Sequence, residues 1–294
     1  MIDLWFWLPV MLSGMLAGAS TGVMGVYVVG MRMPFLGVCV SHAALAGAVF
    51  GALCGLHGQA LLMPALLAAL AAALALGLLS PDRIRMDSNI LLGSLFSLSM
   101  GLSFLGIGLF PRFGRSDNEV RNLLWGSLTF CRWNDVWLLV AASAAVAAFV
   151  GVFGKEMRAI LFCRTQAASA GIRTTIVWTG FLALTSFVLT VSFQTVGGLM
   201  IYSLMTSPAV AAFQLVRGHR ATIWTTVAIG TFCGLGGFLI AVIADLPTGA
   251  VTVLLCSAVV FLATGINMLN RRSRGRKPAA YRSARPVELI ARDA

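Results

Sequence analysis

The chain is poor in charge. Of its 294 residues only 11% are Asp, Glu, Lys or Arg, against 59% hydrophobic residues and a mean hydropathy of +0.92. That balance excludes a soluble domain, which needs a charged surface. The ten carboxylates are Asp3, Asp82, Asp87, Asp117, Glu119, Asp135, Glu156, Asp245, Glu288 and Asp293, and none falls in the middle of an apolar run. Ion-coupled carriers use intramembrane carboxylates as relays, so their lack argues against such a carrier. Histidine is confined to His42, His57 and His219, with no H-E-x-x-H pair, which disfavours an intramembrane metalloprotease. The only lysines, Lys155 and Lys277, stand outside any G-x-x-x-x-G-K-[ST] phosphate loop. Energy for uphill work would have to come from a separate chain. Cys39, Cys54, Cys131, Cys163, Cys233 and Cys256 show no paired C-x-x-C spacing, so neither a disulfide framework nor a structural zinc site is supported.

What is present is a series of long apolar runs. A membrane-crossing helix needs roughly 20 apolar residues, and candidates lie near 4–29, 34–55, 60–79, 89–110, 135–154, 175–193, 196–216, 222–244 and 248–269. The reading is an all-α polytopic membrane protein with about nine (eight to nine) transmembrane helices in one bundle. Helices satisfy their own backbone in lipid, and the alternating pattern of an outer-membrane barrel is absent. The first run follows Met1-Ile2-Asp3 without a positive charge, so it is expected to stay in the membrane. Arginine and lysine collect in cytoplasmic loops. An outside N-terminus puts Arg32, Arg83, Arg85, Lys155, Arg158, Arg164, Arg173, Arg217 and Arg220 inside, while the turns near 56–59, 194–195 and 245–247 hold none. The loop 111–134, with Arg112, Arg115, Arg121 and Arg132, is the exception. Residues 1–270 form the transmembrane domain, and 271–294 read as a basic cytoplasmic tail without fixed structure that touches anionic lipid rather than nucleic acid.

Several residues stand out against this background. His42 lies inside an apolar run, where an imidazole needs a partner or water, with Cys39 one turn back on the same helical face. Thiol and imidazole together suit a soft or borderline divalent cation; the alternative is a hydrogen bond to another helix. Small residues recur at four-residue spacing as Gly14, Gly18 and Gly22; Gly47, Gly51 and Gly55; Gly93, Ser97 and Gly101; Gly230 and Gly234, which reads as close helix packing. Gly197, Gly198 and Pro208 weaken or bend the segment 196–216, a candidate gate or kink. The segment 156–173 reads as a short amphipathic helix ending near Gly171, lying on the membrane or docking into a partner's groove.

The pieces Gly37 to Gly47 around Ser41-His42-Ala43, Phe162 with Ala167 and Gly171, Met200 to Ala209, and Asp245-Leu246-Pro247-Thr248-Gly249-Ala250 occur in an order and spacing that resemble the ABC-3 family of permeases. These are the membrane subunits of zinc, manganese and iron ATP-binding-cassette importers, and the similarity covers roughly residues 8–270. The resemblance implies a permease homodimer in the bacterial inner membrane, an ABC ATPase subunit on each cytoplasmic face and an extracytoplasmic metal-binding protein. It implies a non-catalytic subunit with no permanently bound cofactor, the divalent metal being substrate and ATP acting only through the partner. It assigns His42, Cys39 and Ser41 to the translocation path, Asp245 to the outer mouth, and Phe162, Ala167 and Gly171 to coupling with the ATPase. Two positions depart from the family pattern. Val38 stands where an aspartate usually follows the glycine of the histidine motif, and Cys163 stands where the coupling segment often carries an acid. Loss of a hard oxygen ligand tilts the metal toward zinc. An ATP-independent channel or secondary carrier for a small cation is the alternative reading.

Overall fold

The structure, a computed structural model, describes residues 4–78, 88–114 and 131–273. Its helices are α1 (Leu4–Gly30), α2 (Leu36–Leu53), α3 (Leu62–Leu78), α4 (Ser88–Leu109), α5 (Trp133–Phe162), α6 (Arg164–Ser169), α7 (Thr174–Val196), α8 (Gly198–Leu215), α9 (His219–Ala244) and α10 (Thr248–Ser273), with 3₁₀ turns at Gly58–Leu61 and Phe110–Phe113. Among the described residues there is no strand. Eight helices are long and apolar enough to cross a membrane. The remaining candidate, 196–216, is the shorter α8 of 18 residues, because Gly197 and the extended Val216 bound it. At ~1.5 Å per residue α8 rises ~27 Å, slightly less than a ~30 Å hydrocarbon core. Met200, Ile201, Leu204, Met205, Ala209, Ala211 and Ala212 are nonetheless buried, while Tyr202, Phe213 and Leu215 stay exposed, so most of α8 packs inside the protein.

Close backbone approaches set the order of the bundle. Gly14 faces Gly234 and Gly18 faces Gly230, which makes α1 and α9 antiparallel and lets their backbones touch. On α8, Leu204 lies over Gly22 and Met205 and Ala209 over Gly25, so α8 runs parallel to α1. Gly47 and Gly51 of α2 receive Pro64 and Ala68 of α3. Small residues permit these approaches where lipid supplies no hydrophobic drive between helices. The third expected packing stripe does not pack: nothing lies within 4 Å of a Cβ built on Gly93 or Gly101. The helix that carries them, α4, turns Leu98, Phe104 and Leu105 outward. Gly55 is likewise no packing residue; it sits past the end of α2 with φ +93°, a turn conformation.

One end of the bundle, here the base, gathers the end of α1, the end of α5 and the start of α9. Leu161 packs over Gly30, and the Tyr27 hydroxyl lies 3.3 Å from Nε2 of His219. The opposite end holds Trp7 against Phe238 and Ser13 against Cys131. The chain leaves α1 through Arg32, whose φ of +59° places it at the left-handed stop of the helix, with Met33 N–H returned to Val28 and Arg32 N–H to Val29. This pair of bonds satisfies the last carbonyls of a helix. The same device ends α9 at Asp245, φ +53°, with Leu246 N–H bonded to Ala241.

Helix ends differ from the sequence reading in three places. The expected run 135–154 continues as helix to Phe162, because Lys155, Glu156 and Arg158 end the apolar pattern but not the helix. The turn expected at 194–195 is a single-residue break at Gly197, φ +95°, between α7 and α8. Helix α10 extends to Ser273, past the boundary set at 270. The loop segments carrying Arg83, Arg85, Arg115 and Arg121, and the tail from 274, lie outside the described residues.

Candidate translocation site and coupling surface

Helix α2, Leu36–Leu53, forms from small and apolar residues interrupted by Ser41 and His42, and so carries the histidine motif. Cys39 is fully buried in the main apolar core and Ser41 is 3% exposed. Half-buried His42 sets its ring edge-on to Phe96 of α4, with centroids 5.0 Å apart at 82°. Its Nδ1 and the Ser41 hydroxyl are both buried without a hydrogen-bond partner. Each such group costs on the order of 1–3 kcal/mol when nothing satisfies it, so the motif carries unused polar capacity. Among the described residues no hydrogen bond joins His42 Nδ1 to another helix. Nor does the Cys39 thiol bond to the ring, and no cluster of three or more His, Cys, Asp or Glu exists among the described residues. Val38, one turn before His42, is half-buried like it. An acid there would share the face of the imidazole.

A second set was missed by the sequence reading. Thr185, Ser186, Thr190 and Thr195 of α7 each donate a hydrogen bond to the carbonyl four residues back, the usual escape for a hydroxyl in a buried helix. Ser192, fully buried, makes no such bond, and the Gln194 amide Nε2 is also buried without a partner. Both lie in the last turns of α7 before the Gly197 break, and α7 touches α2. The available signal was Ser192-Phe193-Gln194, polar residues inside an apolar run immediately before Gly197-Gly198.

The three break residues act separately. Gly197 takes a φ of +95° and ψ of 150° that only glycine adopts without strain. A side chain on Gly198 would strike the Phe193 ring. Pro208 sits inside α8, so the Leu204 carbonyl loses its helical donor. Asp245 lies in the exposed turn between α9 and α10, at the end of the bundle opposite the base, and makes no ion pair among the described residues.

At the base, α5 ends on Phe162, which is 91% exposed. Extended Cys163 breaks the helix, and α6 follows. Ala167 is 4% exposed and packs into the main core, tying α6 to the bundle rather than offering itself outward. Gly171, φ +85°, stops the segment, with Ile172 N–H bonded to the Ala167 carbonyl. The outward features of this elbow are Phe162 and the polar face of α6, Thr165, Gln166 and Ser169.

Similar curated proteins include the manganese transport system membrane protein MntC of Listeria innocua, 24% identical over 253 residues, 86% of this chain and 88% of that protein. The zinc transport system membrane protein TroC of Treponema pallidum is 26% identical over 260 residues, covering 86% of each. Among solved structures, PsaBC from Streptococcus pneumoniae in complex with Fab superposes with a TM-score of 0.75 at 20% identity, over 88% of this chain and 90% of that one. An inward-facing metal-chelate type ABC transporter gives 0.69 at 16% identity, over 90% of both chains. Residues 3–267 match the family described as the ABC 3 transport family, and the chain, with its helical bundle and ordered motifs, belongs to that family.

Proposed function

We propose that this chain is the permease subunit of an ATP-binding-cassette importer for a divalent transition-metal ion, zinc or manganese, with iron the third candidate. The observation that carries the reading is the base elbow: a bulky aromatic, Phe162, 91% exposed beside the short α6, on a chain with no phosphate loop of its own. Leaving such a ring in water is unfavourable, and seating it in a partner's cleft recovers that burial. The partner is the separate ATPase; a metal-binding protein serves the opposite end near Asp245, and a second permease copy completes the assembly. The base then faces the cytoplasm and Met1 lies outside, in keeping with the arginine and lysine bias.

The metal is cargo, and the described residues provide no closed cage for it. A conduit has to release what it binds. The Ser41 hydroxyl, His42 Nδ1 and Ser192 hydroxyl are the unsatisfied groups on α2 and α7 with a lone pair for a passing, partly hydrated ion, while the unsatisfied Gln194 Nε2 is a donor. Cys39, buried and turned into the core, is a poorer ligand than its sequence position suggests. Gly197, Gly198 and Pro208 supply the flexible joint near that route.

Metal accumulation in cells with and without this gene, across zinc, manganese and iron, tests the proposal. Selective loss of one metal, reproduced by deleting the partner ATPase, supports it. Uptake that persists without the ATPase would favour the channel reading.

A further inference from the structure

At the base, a cavity of about 470 Å³ opens between the α1–α2 turn, the end of α3, the start of α4 and the α5–α6 elbow. Its rim carries Arg32 and Arg164, and no carboxylate is among its described lining residues. Neither guanidinium enters an ion pair among the described residues. The walls include Leu76, Leu91 and Ile160, all within spanning helices, and the indole of Trp178. Two cations without an ion pair among the described residues, above apolar walls and beside the indole of Trp178, form the chemical profile of a lipid headgroup and the first part of its chains. The volume falls in the ~300–1,000 Å³ range of small-molecule sites. Arg32 also holds a left-handed backbone where glycine would be unstrained, so helix capping alone does not explain an arginine there.

We infer that this cavity binds the phosphate headgroup of an anionic phospholipid, Arg32 and Arg164 gripping the phosphate while the acyl chains follow Leu76, Leu91 and Ile160. The site is distinct from the metal route and does not depend on what the chain transports. Arg164 adjoins the coupling elbow, so bound lipid would hold α6 to the bundle from the membrane side. The partner ATPase is the rival occupant, because Phe162 of the coupling elbow also lines the cavity, but Leu76, Leu91 and Ile160 belong to membrane-spanning helices, which favours lipid.

The test uses the purified full-length permease, delipidated in detergent, with and without its ATPase subunit. Phosphatidylglycerol and phosphatidylcholine are titrated separately, inorganic phosphate is a third arm, and retained adducts are counted by native mass spectrometry alongside thermal stability. Phosphatidylglycerol should be retained over phosphatidylcholine, and Arg32→Gln or Arg164→Gln should each weaken that preference about fivefold. Arg32→Gly fits the backbone, so it should keep the fold yet lose the preference, while Arg220→Gln, at the same end but off the cavity, should keep both. Equal retention of the two lipids, an Arg32→Gly protein with undiminished preference, protection by inorganic phosphate equal to that by lipid, or displacement of the lipid by the ATPase would each overturn the assignment.

Discussion

Gly18→Ala is the perturbation whose outcome the packing fixes most closely. A Cβ on Gly18 would land on the Gly230 carbonyl, with the carbonyl carbon at 2.7 Å where ordinary contact begins at 3.4 Å, so α1 and α9 would have to part by about 0.7 Å at that atom and more at the oxygen. The obstruction is backbone on both sides, so no side-chain rotamer can relieve it. Overpacking of this kind typically costs ~1–3 kcal/mol, while alanine recovers ~0.5–1 kcal/mol of helix preference over glycine. The net expectation is a loss of roughly 0–2.5 kcal/mol, centred on about 1 kcal/mol, which is a fall of roughly 2–4 °C in apparent melting temperature. Gly230→Ala should behave alike, and the double variant should lose less than the sum because one separation admits both methyls. Gly93→Ala and Gly101→Ala, with nothing within 4 Å, are the internal controls and should melt at or slightly above the parent. Heating the detergent-solubilised protein and following the monodisperse peak by fluorescence-detected size exclusion reads all five. If Gly18→Ala and Gly93→Ala melted within a degree of each other, the contact between α1 and α9 backbones would not be what holds these helices together.

Further outcomes follow from the structure. Phe162→Ala should leave abundance unchanged and lower transport severalfold while ATP hydrolysis by the assembled complex continues; normal transport would remove Phe162 from the coupling surface. Gly171→Val, at a φ of +85°, should have the same uncoupling effect through backbone strain, checked by the same ratio of metal moved to ATP consumed. His42→Ala should abolish metal uptake at normal protein level, whereas uptake falling only with abundance would leave the histidine a packing residue, and Val38→Asp should shift the preference among zinc, manganese and iron toward the harder ion. Burial pushes the Cys131 thiol up to about 11, the Asp135 charge adding to the rise and a hydrogen bond with Ser13 opposing it. Because only the thiolate reacts, labelling of Cys131 by an impermeant maleimide should be slow near neutrality and rise as pH climbs toward that value, whereas exposed Cys54 should label in intact cells and Cys163 only after permeabilisation; labelling of Cys163 from outside would invert the proposed orientation.

The membrane class, the helical composition and the number of spans to within one were legible in the sequence, because hydrocarbon leaves the backbone no alternative to the helix and the apolar runs therefore report the spans directly. The motifs around His42 and Gly171 pointed to the family for the same local reason, since a buried imidazole and a left-handed stop are written in single residues. Pairing between helices is not written that way. The stripes Gly14-Gly18-Gly22 and Gly93-Ser97-Gly101 look alike in one dimension, yet the first meets Gly230, Gly234 and Thr226 while Gly93 and Gly101 meet nothing among the described residues, because which face of a helix is turned inward depends on all its neighbours. Tertiary structure also buried Cys39 in the main core, left the Ser192 hydroxyl and Gln194 Nε2 without partners among the described residues, extended α5 to an exposed Phe162, and brought Arg32 and Arg164, far apart in sequence, to the rim of one cavity. Each of these depends on the close approach of helices distant along the chain, which packing decides and local propensity does not.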